Sequence, residues 1–269
     1  MVDNIINIRG SNIQDNSSKK YRYFTYFNIT LLWTLYLGFI LFEKKCNFGS
    51  LVPSKNYPFF FTIFSNCNEC KDLRYQIWRL YTYSLVHYGY KHILSNSIFF
   101  LIFSSGIELV ICSLNIFIIY LFGIITAPLF CIYFIPYTPI VGSSAGVYSL
   151  FGCFFGIGIL DFYHFSSKQK RIYLIIIIYL ITVFLLEIYY FTINTNTNIA
   201  YYGHFSGFVE GLLITNIIVK PKQRLTYHKY TKIFSSFIFI IINIIIISNY
   251  IFLYSVKAKK YSSECCYIK

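Results

Sequence analysis

Charge is scarce in this sequence. Asp, Glu, Lys and Arg make up 12% of its 269 residues, about half the share of a soluble domain. Acidic residues are the rarer kind, 10 against 23 Lys and Arg. Zinc-binding spacing is also missing. There are 8 cysteines, but Cys67 and Cys70, spaced C-x-x-C, have no second pair and no His pair to complete a site. Two readings stay open for them: a disulfide, if their loop faces an oxidising lumen, or free thiols. No metal or organic cofactor is implied. Residues 1–23 lack the apolar stretch of a signal peptide and the Arg-rich amphipathic pattern of a transit peptide, and are expected to be a polar cytoplasmic tail. The net charge of +13 could suggest nucleic acid. The basic residues instead sit at the edges of apolar blocks, where they orient membrane segments, so no nucleic-acid partner is expected.

What the sequence has is long hydrophobic runs. Apolar blocks cover approximately 24–42, 92–112, 116–135, 144–162, 172–191, 200–219 and 233–256. Each is near the length that crosses a hydrocarbon core of roughly 30 Å. Backbone groups in lipid must pair within the segment, so the blocks are read as helices. The expectation is an all-α membrane protein with seven transmembrane helices. A long connection over 43–91 contains Pro53, Pro58, many aromatics and the pair Trp78-Arg79. Its length suggests structure of its own, in the interface that favours Trp and Tyr.

The short connections orient the chain. Lys168, Lys170 and Arg171 lie between spans four and five, and Lys220, Lys222, Arg224, Lys229 and Lys232 between six and seven. The connections between spans three and four and between five and six carry no Lys or Arg. The positive-inside rule then places the N-terminus in the cytoplasm. The basic tail over 257–269, with Lys257, Lys259 and Lys260, argues the other way and is outweighed.

Polar residues inside membrane blocks are costly and are functional candidates. In this orientation spans two, four and six run from outside to inside, and each opens on polar residues. Span two has His92 and Asn96, span four has Gly142-Ser143-Ser144-Ala145-Gly146, and span six has Tyr202-Gly203-His204. His92 and Asn96, at i and i+4, share a face, as do Ser144, Tyr148 and Gly152. Gly203, Gly207 and Gly211 on span six, and Gly152 and Gly156 on span four, repeat at the spacing that lets membrane helices approach closely. Such a contact would bring His204 beside Ser144. Serine needs a base to become a nucleophile, and imidazole titrates near neutrality. No Asp or Glu lies at that depth in spans four or six, so the expected arrangement is a Ser-His dyad. The Asn96 amide, His92 and the Ser144 backbone N–H could stabilise an oxyanion. Each residue has a plainer role available: a membrane serine often bonds the carbonyl one turn back, a buried His can simply join two helices, and glycine ridges need only mean packing. Gly142-x-Ser144-x-Gly146 also matches the nucleophile elbow of α/β-hydrolases, but that motif needs a preceding strand. Here Pro136-Tyr137-Thr138-Pro139 forms a short loop after a membrane helix.

These motifs together resemble the rhomboid family of intramembrane serine proteases over about residues 24–220. The segment Val141-Gly-Ser-Ser-Ala-Gly-Val-Tyr148 resembles the G-x-S-x signature of the family's fourth helix. His204, Gly207 and Gly211 resemble its H-x-x-G-x-x-x-G on the sixth. His92-x-x-x-Asn96 resembles the oxyanion motif of the second, Trp78-Arg79 the Trp-Arg pair of the first loop, and Glu108 a Glu that often closes helix two. Ala145 stands where Gly usually follows the nucleophile, Gly203 where Ala commonly precedes the histidine, and Cys112 where Gly often follows the Glu.

The resemblance implies a six-helix catalytic core over 24–220, then a linker and a seventh helix over 221–256. It implies Ser144 as nucleophile, His204 as general base, His92 and Asn96 as oxyanion donors, and Tyr148 packed on the imidazole. The implied function is a serine endopeptidase that cleaves single-pass transmembrane proteins near the outer or luminal face of a plasma or secretory-pathway membrane. Two rival functions carry over: an inactive relative that binds or escorts membrane clients, and a transporter or channel. The last would prefer charges along a continuous path, and Glu187 and Glu210 are the only deep acids.

Overall fold

Each apolar block is helical over most of its described residues. The computed structural model describes residues 22–42, 65–66, 71–72, 76–87, 89–134, 140–193 and 201–253. Seven helices of 18 residues or more lie among them: α1 (Tyr23–Phe42), α2 (Gly89–Glu108), α3 (Ser113–Phe134), α4 (Ser144–Asp161), α5 (Ser167–Ile193), α6 (Tyr201–Ile218) and α7 (Thr226–Ser248). Among the described residues the regular structure is helical apart from one antiparallel pairing of Ser65–Asn66 with Lys71–Asp72 in the long connection. By length and composition five helices can cross a membrane: α1, α3, α4, α5 and α7. The other two, α2 and α6, are long enough but hold buried polar residues, among them Asn96, Ser97, Ser104, His204, Ser206 and Glu210. Cys67, Cys70, Pro53, Pro58, the 136–139 loop and the 257–269 tail lie outside the described residues.

Two helices begin well before the start that the hydropathy pattern predicts, at Ser167 against 172 and at Thr226 against 233. Helix α5 opens at Ser167 and so includes Lys168, Lys170 and Arg171. Its start is fixed by a capping box. The Ser166 N–H donates to Gln169 Oε1 (2.7 Å), and the Gln169 N–H donates to Ser166 Oγ (3.4 Å). Helix α7 opens at Thr226, enclosing Lys229 and Lys232. There His228 Nδ1 accepts the Leu225 N–H (3.0 Å), and its Nε2–H donates to Leu160 O (2.9 Å). Apolarity marks where a helix enters lipid, while hydrogen bonds decide where it starts.

The layering sets the site. In α4, 83% of the apolar stretch is buried, against 61% for α3 and 11% for each of α5 and α7. Helix α4 is therefore the central post, and α5 and α7 face outward. The post meets α6 backbone to backbone. A Cβ added to Gly211 would stand 2.0 Å from Ser149 O, one on Gly207 2.2 Å from Ala145 O, and one on Gly152 2.0 Å from Phe208 O. Only hydrogen fits at all three, so the glycine spacing holds the two helices at contact distance.

Polar ties hold the remaining elements. Glu108 at the end of α2 accepts the N–H groups of Phe24 (2.9 Å) and Thr25 (3.1 Å) and the Thr25 hydroxyl (2.6 Å), capping the first turn of α1. In α3, Pro128 lacks the N–H that would reach back to Ile124 O. The phenol of Tyr83 donates to that carbonyl instead, at 2.9 Å. Tyr83 follows a helical turn at Arg79–Thr82, so the proline gap anchors the end of the long connection. Arg79 is buried there with its Nε–H on Gln76, whereas Trp78 is exposed.

Candidate active site

The site gathers at the N-terminal end of α4. Gly142 has φ +103°, a backbone that only glycine adopts without strain. The Gly142 N–H donates to Tyr83 O at 3.1 Å, which pins the turn to the long connection. Ser143 N–H donates to His87 Nε2 at 3.3 Å, and Ser143 Oγ lies 3.1 Å from the same nitrogen. Burial, reinforced by His92 nearby, holds the His87 imidazole well below its ordinary pKa. A neutral ring suits an Nε2 that accepts. Neither His87 nor this contact has a signal in the sequence. The turn delivers Ser144 as the first residue of α4, where the leading N–H groups have no partner inside the helix and favour negative charge.

His204 arrives from α6. Its Nε2 is 2.8 Å from Ser144 Oγ. The two residues are 60 apart in sequence, and the glycine contact between α4 and α6 brings them together. Tyr148, one turn below Ser144, stacks on the His204 ring at 4.3 Å between centroids and 6° between planes. The ring can therefore move little without displacing the phenol.

From α2, His92 and Asn96 face Gly142. A Cβ on Gly142 would stand 2.7 Å from His92 Nε2 and 3.5 Å from Asn96 Nδ2. Asn96 is buried, and its Nδ2 has no hydrogen-bond partner. A buried amide donor without an acceptor is rare and costly, and here it sits beside the turn that carries Ser144. Ala145 is buried against the Gly207 contact. Cys112, at the exposed turn after α2, touches none of this.

One member of the cluster was not expected from the sequence. Glu187, on α5, places Oε2 3.2 Å from His204 Nδ1. Its Oε1 accepts a hydrogen bond from the Tyr148 hydroxyl. The helices bearing Ser144 and His204 hold no acid at that depth, and the carboxylate comes from a third helix. Its signal in the sequence is an isolated carboxylate near the C-terminal end of an otherwise apolar block. Glu210, the other deep acid, is apart from the site: its Oε1 accepts from Asn243 Nδ2 of α7 at 3.1 Å.

Comparison with known proteins agrees with this architecture. A family model described as the Rhomboid domain matches residues 74–221, more than half of the 269-residue chain. Rhomboid-related protein 2 of Mus musculus is 28% identical over 148 residues, 54% of this chain and 49% of the relative. Inactive rhomboid-related protein 2 of Caenorhabditis elegans is 27% identical over 176 residues, 64% of this chain and 50% of the relative. Rhomboid-related protein 3 of Homo sapiens is 34% identical over 79 residues, 29% of this chain and 20% of the relative. The chain thus spans about half the length of the first two relatives it matches. The matched segment runs from the long connection through α6 and contains the Ser144 turn, His204 and the glycine contact between them; this chain belongs to the rhomboid family.

Proposed function

We propose that the chain is an intramembrane serine endopeptidase that cuts transmembrane segments of single-pass membrane proteins near their outer or luminal ends. The observation that carries the reading is the 2.8 Å contact between His204 Nε2 and Ser144 Oγ. Helices α2 and α6 are taken as membrane-crossing along with the other five, their polar residues turned into the bundle. The N-terminus is cytoplasmic, following the basic residues of the short connections.

The chemistry follows from the atoms. Ser144 Oγ attacks the scissile carbonyl carbon as its proton passes to His204 Nε2. The carbonyl oxygen becomes an oxyanion. Asn96 Nδ2, the Ser144 backbone N–H and His92 supply donors to it. Collapse breaks the C–N bond, and the leaving amine takes the proton from Nε2. Water, deprotonated by the same nitrogen, then attacks the acyl ester, and the proton returns to Oγ. Every proton that moves is carried by His204, and no cofactor enters.

A second reading has its own support, since one relative is named inactive. In it the chain binds membrane clients without cutting them. The two separate in liposomes holding a reporter transmembrane segment and a fluorophosphonate probe. The protease reading expects wild type to cleave and label, and Ser144→Ala and His204→Ala to lose both by at least about a thousandfold. Binding of the reporter by wild type and Ser144→Ala alike, with no cleavage or labelling by either, would overturn it in favour of the client-binding reading.

A further inference from the structure

We infer that Glu187 is a positioning residue for His204, so that the site works as a Ser144–His204–Glu187 triad assembled from three helices. The inference rests on the protease reading and deepens it.

The first argument is tautomeric. A neutral imidazole carries one proton. For Nε2 to accept from Ser144 Oγ, that proton must sit on Nδ1. A donor at Nδ1 needs an acceptor, and Glu187 Oε2 stands 3.2 Å away. The carboxylate therefore selects the ring form that can take the serine proton. When Nε2 is protonated during attack, the ring becomes a cation beside this anion, and a pair only 10% and 25% exposed is screened less than one at the surface.

The second argument is one of placement. A carboxylate on α5 is costly unless bonded, because only 11% of that helix's apolar stretch is buried and an acid in lipid is expensive. Glu187 is half-buried, at 25% side-chain exposure, and both of its oxygens are engaged. Oε1 takes the Tyr148 hydroxyl while Oε2 takes His204 Nδ1. Tyr148 also stacks on the ring that Glu187 orients. Tyrosine and carboxylate thus fix the imidazole in two directions, one across its face and one along its edge. A carboxylate that merely tied α5 to α4 would need only the tyrosine.

The test compares wild type, Glu187→Gln, Glu187→Asp, Tyr148→Phe and Ser144→Ala, each in liposomes with the reporter segment and with a fluorophosphonate. The probe is too small to sense docking of a substrate helix, so it reads activation of the serine alone. The assignment expects Glu187→Gln to lower kcat and the labelling rate together, roughly ten- to a hundredfold, with KM changed less than about twofold. Glu187→Asp should recover part of both, since it restores the anion at slightly longer reach. Tyr148→Phe should cost less than Glu187→Gln, because it leaves Oε2 on Nδ1. Active wild type with Glu187→Gln within about twofold of it would overturn the assignment. So would equal losses in the Gln and Asp variants that track a loss of thermal stability, which would make Glu187 a tether. A wild type that neither cleaves nor labels would instead overturn the protease reading, and the assignment with it.

Discussion

At Gly142 the backbone turns through φ +103°, and an added Cβ would lie 2.6 Å from His92 Cε1. Both facts act on the same substitution. Gly142→Ala should cost about 1–2 kcal/mol in backbone strain and push His92 off the turn. Asn96 makes the opposite kind of prediction. Its Nδ2 has no partner in the resting site, so Asn96→Ala removes no visible bond. We expect it to leave the melting temperature nearly unchanged and to lower kcat roughly a hundredfold, as loss of an oxyanion donor does. Thermal melts in detergent beside labelling rates in liposomes read the two substitutions: Gly142→Ala should fall on both axes and Asn96→Ala on one. A destabilised Asn96→Ala with normal kcat would remove that residue from the oxyanion site.

Between elements, the contact that matters is α4 against α6. It is made of backbone meeting backbone, with Gly211 over Ser149 O and Gly207 over Ala145 O. A methyl group cannot be absorbed by rotating a side chain when the neighbour is a carbonyl. Gly211→Ala should force the helices apart, costing about 1–3 kcal/mol and lengthening the Ser144–His204 distance together with it. Gly38 in α1 provides the control, since an added Cβ there has no atom within 4 Å. Gly38→Ala should be neutral or slightly stabilising, because alanine is the better helix former. A melt that ranks these two substitutions the other way would refute the close contact. The spacing of the glycines was legible in the sequence. Which carbonyl each one meets was not, because period alone fixes a face and not a register against its partner.

At the scale of the whole molecule, an inner set of helices carries the polar residues and an outer set shields it. Helix α7 is tied to that set at several points, among them His228 to Leu160 O at one end, Asn216 to Ser235, and Asn243 to Glu210. Asn243→Leu would leave Glu210 Oε1 without the amide in a buried position. The loss of stability should be roughly 1–3 kcal/mol, read by chemical or thermal unfolding in detergent, with labelling of the folded fraction unchanged because Glu210 is outside the site. A large loss of labelling per folded molecule would mean that α7 shapes the site, contrary to this arrangement.

The sequence by itself determined that the chain is helical and belongs in a membrane, because runs of apolar residues near membrane length leave no other way to pair the backbone. It also determined where the polar residues cluster along the chain, since their cost in lipid makes them conspicuous. Ser144, His204, His92 and Asn96 could be singled out for that reason, the glycine faces by their four-residue spacing, and Tyr148 through the family resemblance. Only the tertiary structure decided which of these meet. The contact of Glu187 with His204 joins α5 to α6, the His87 contact with Ser143 joins a loop to a helix start, and the Tyr83 phenol fills a gap left by Pro128. Each depends on the rotation and depth of one helix against another. Those are set by packing across the bundle, and no local period in the chain encodes them.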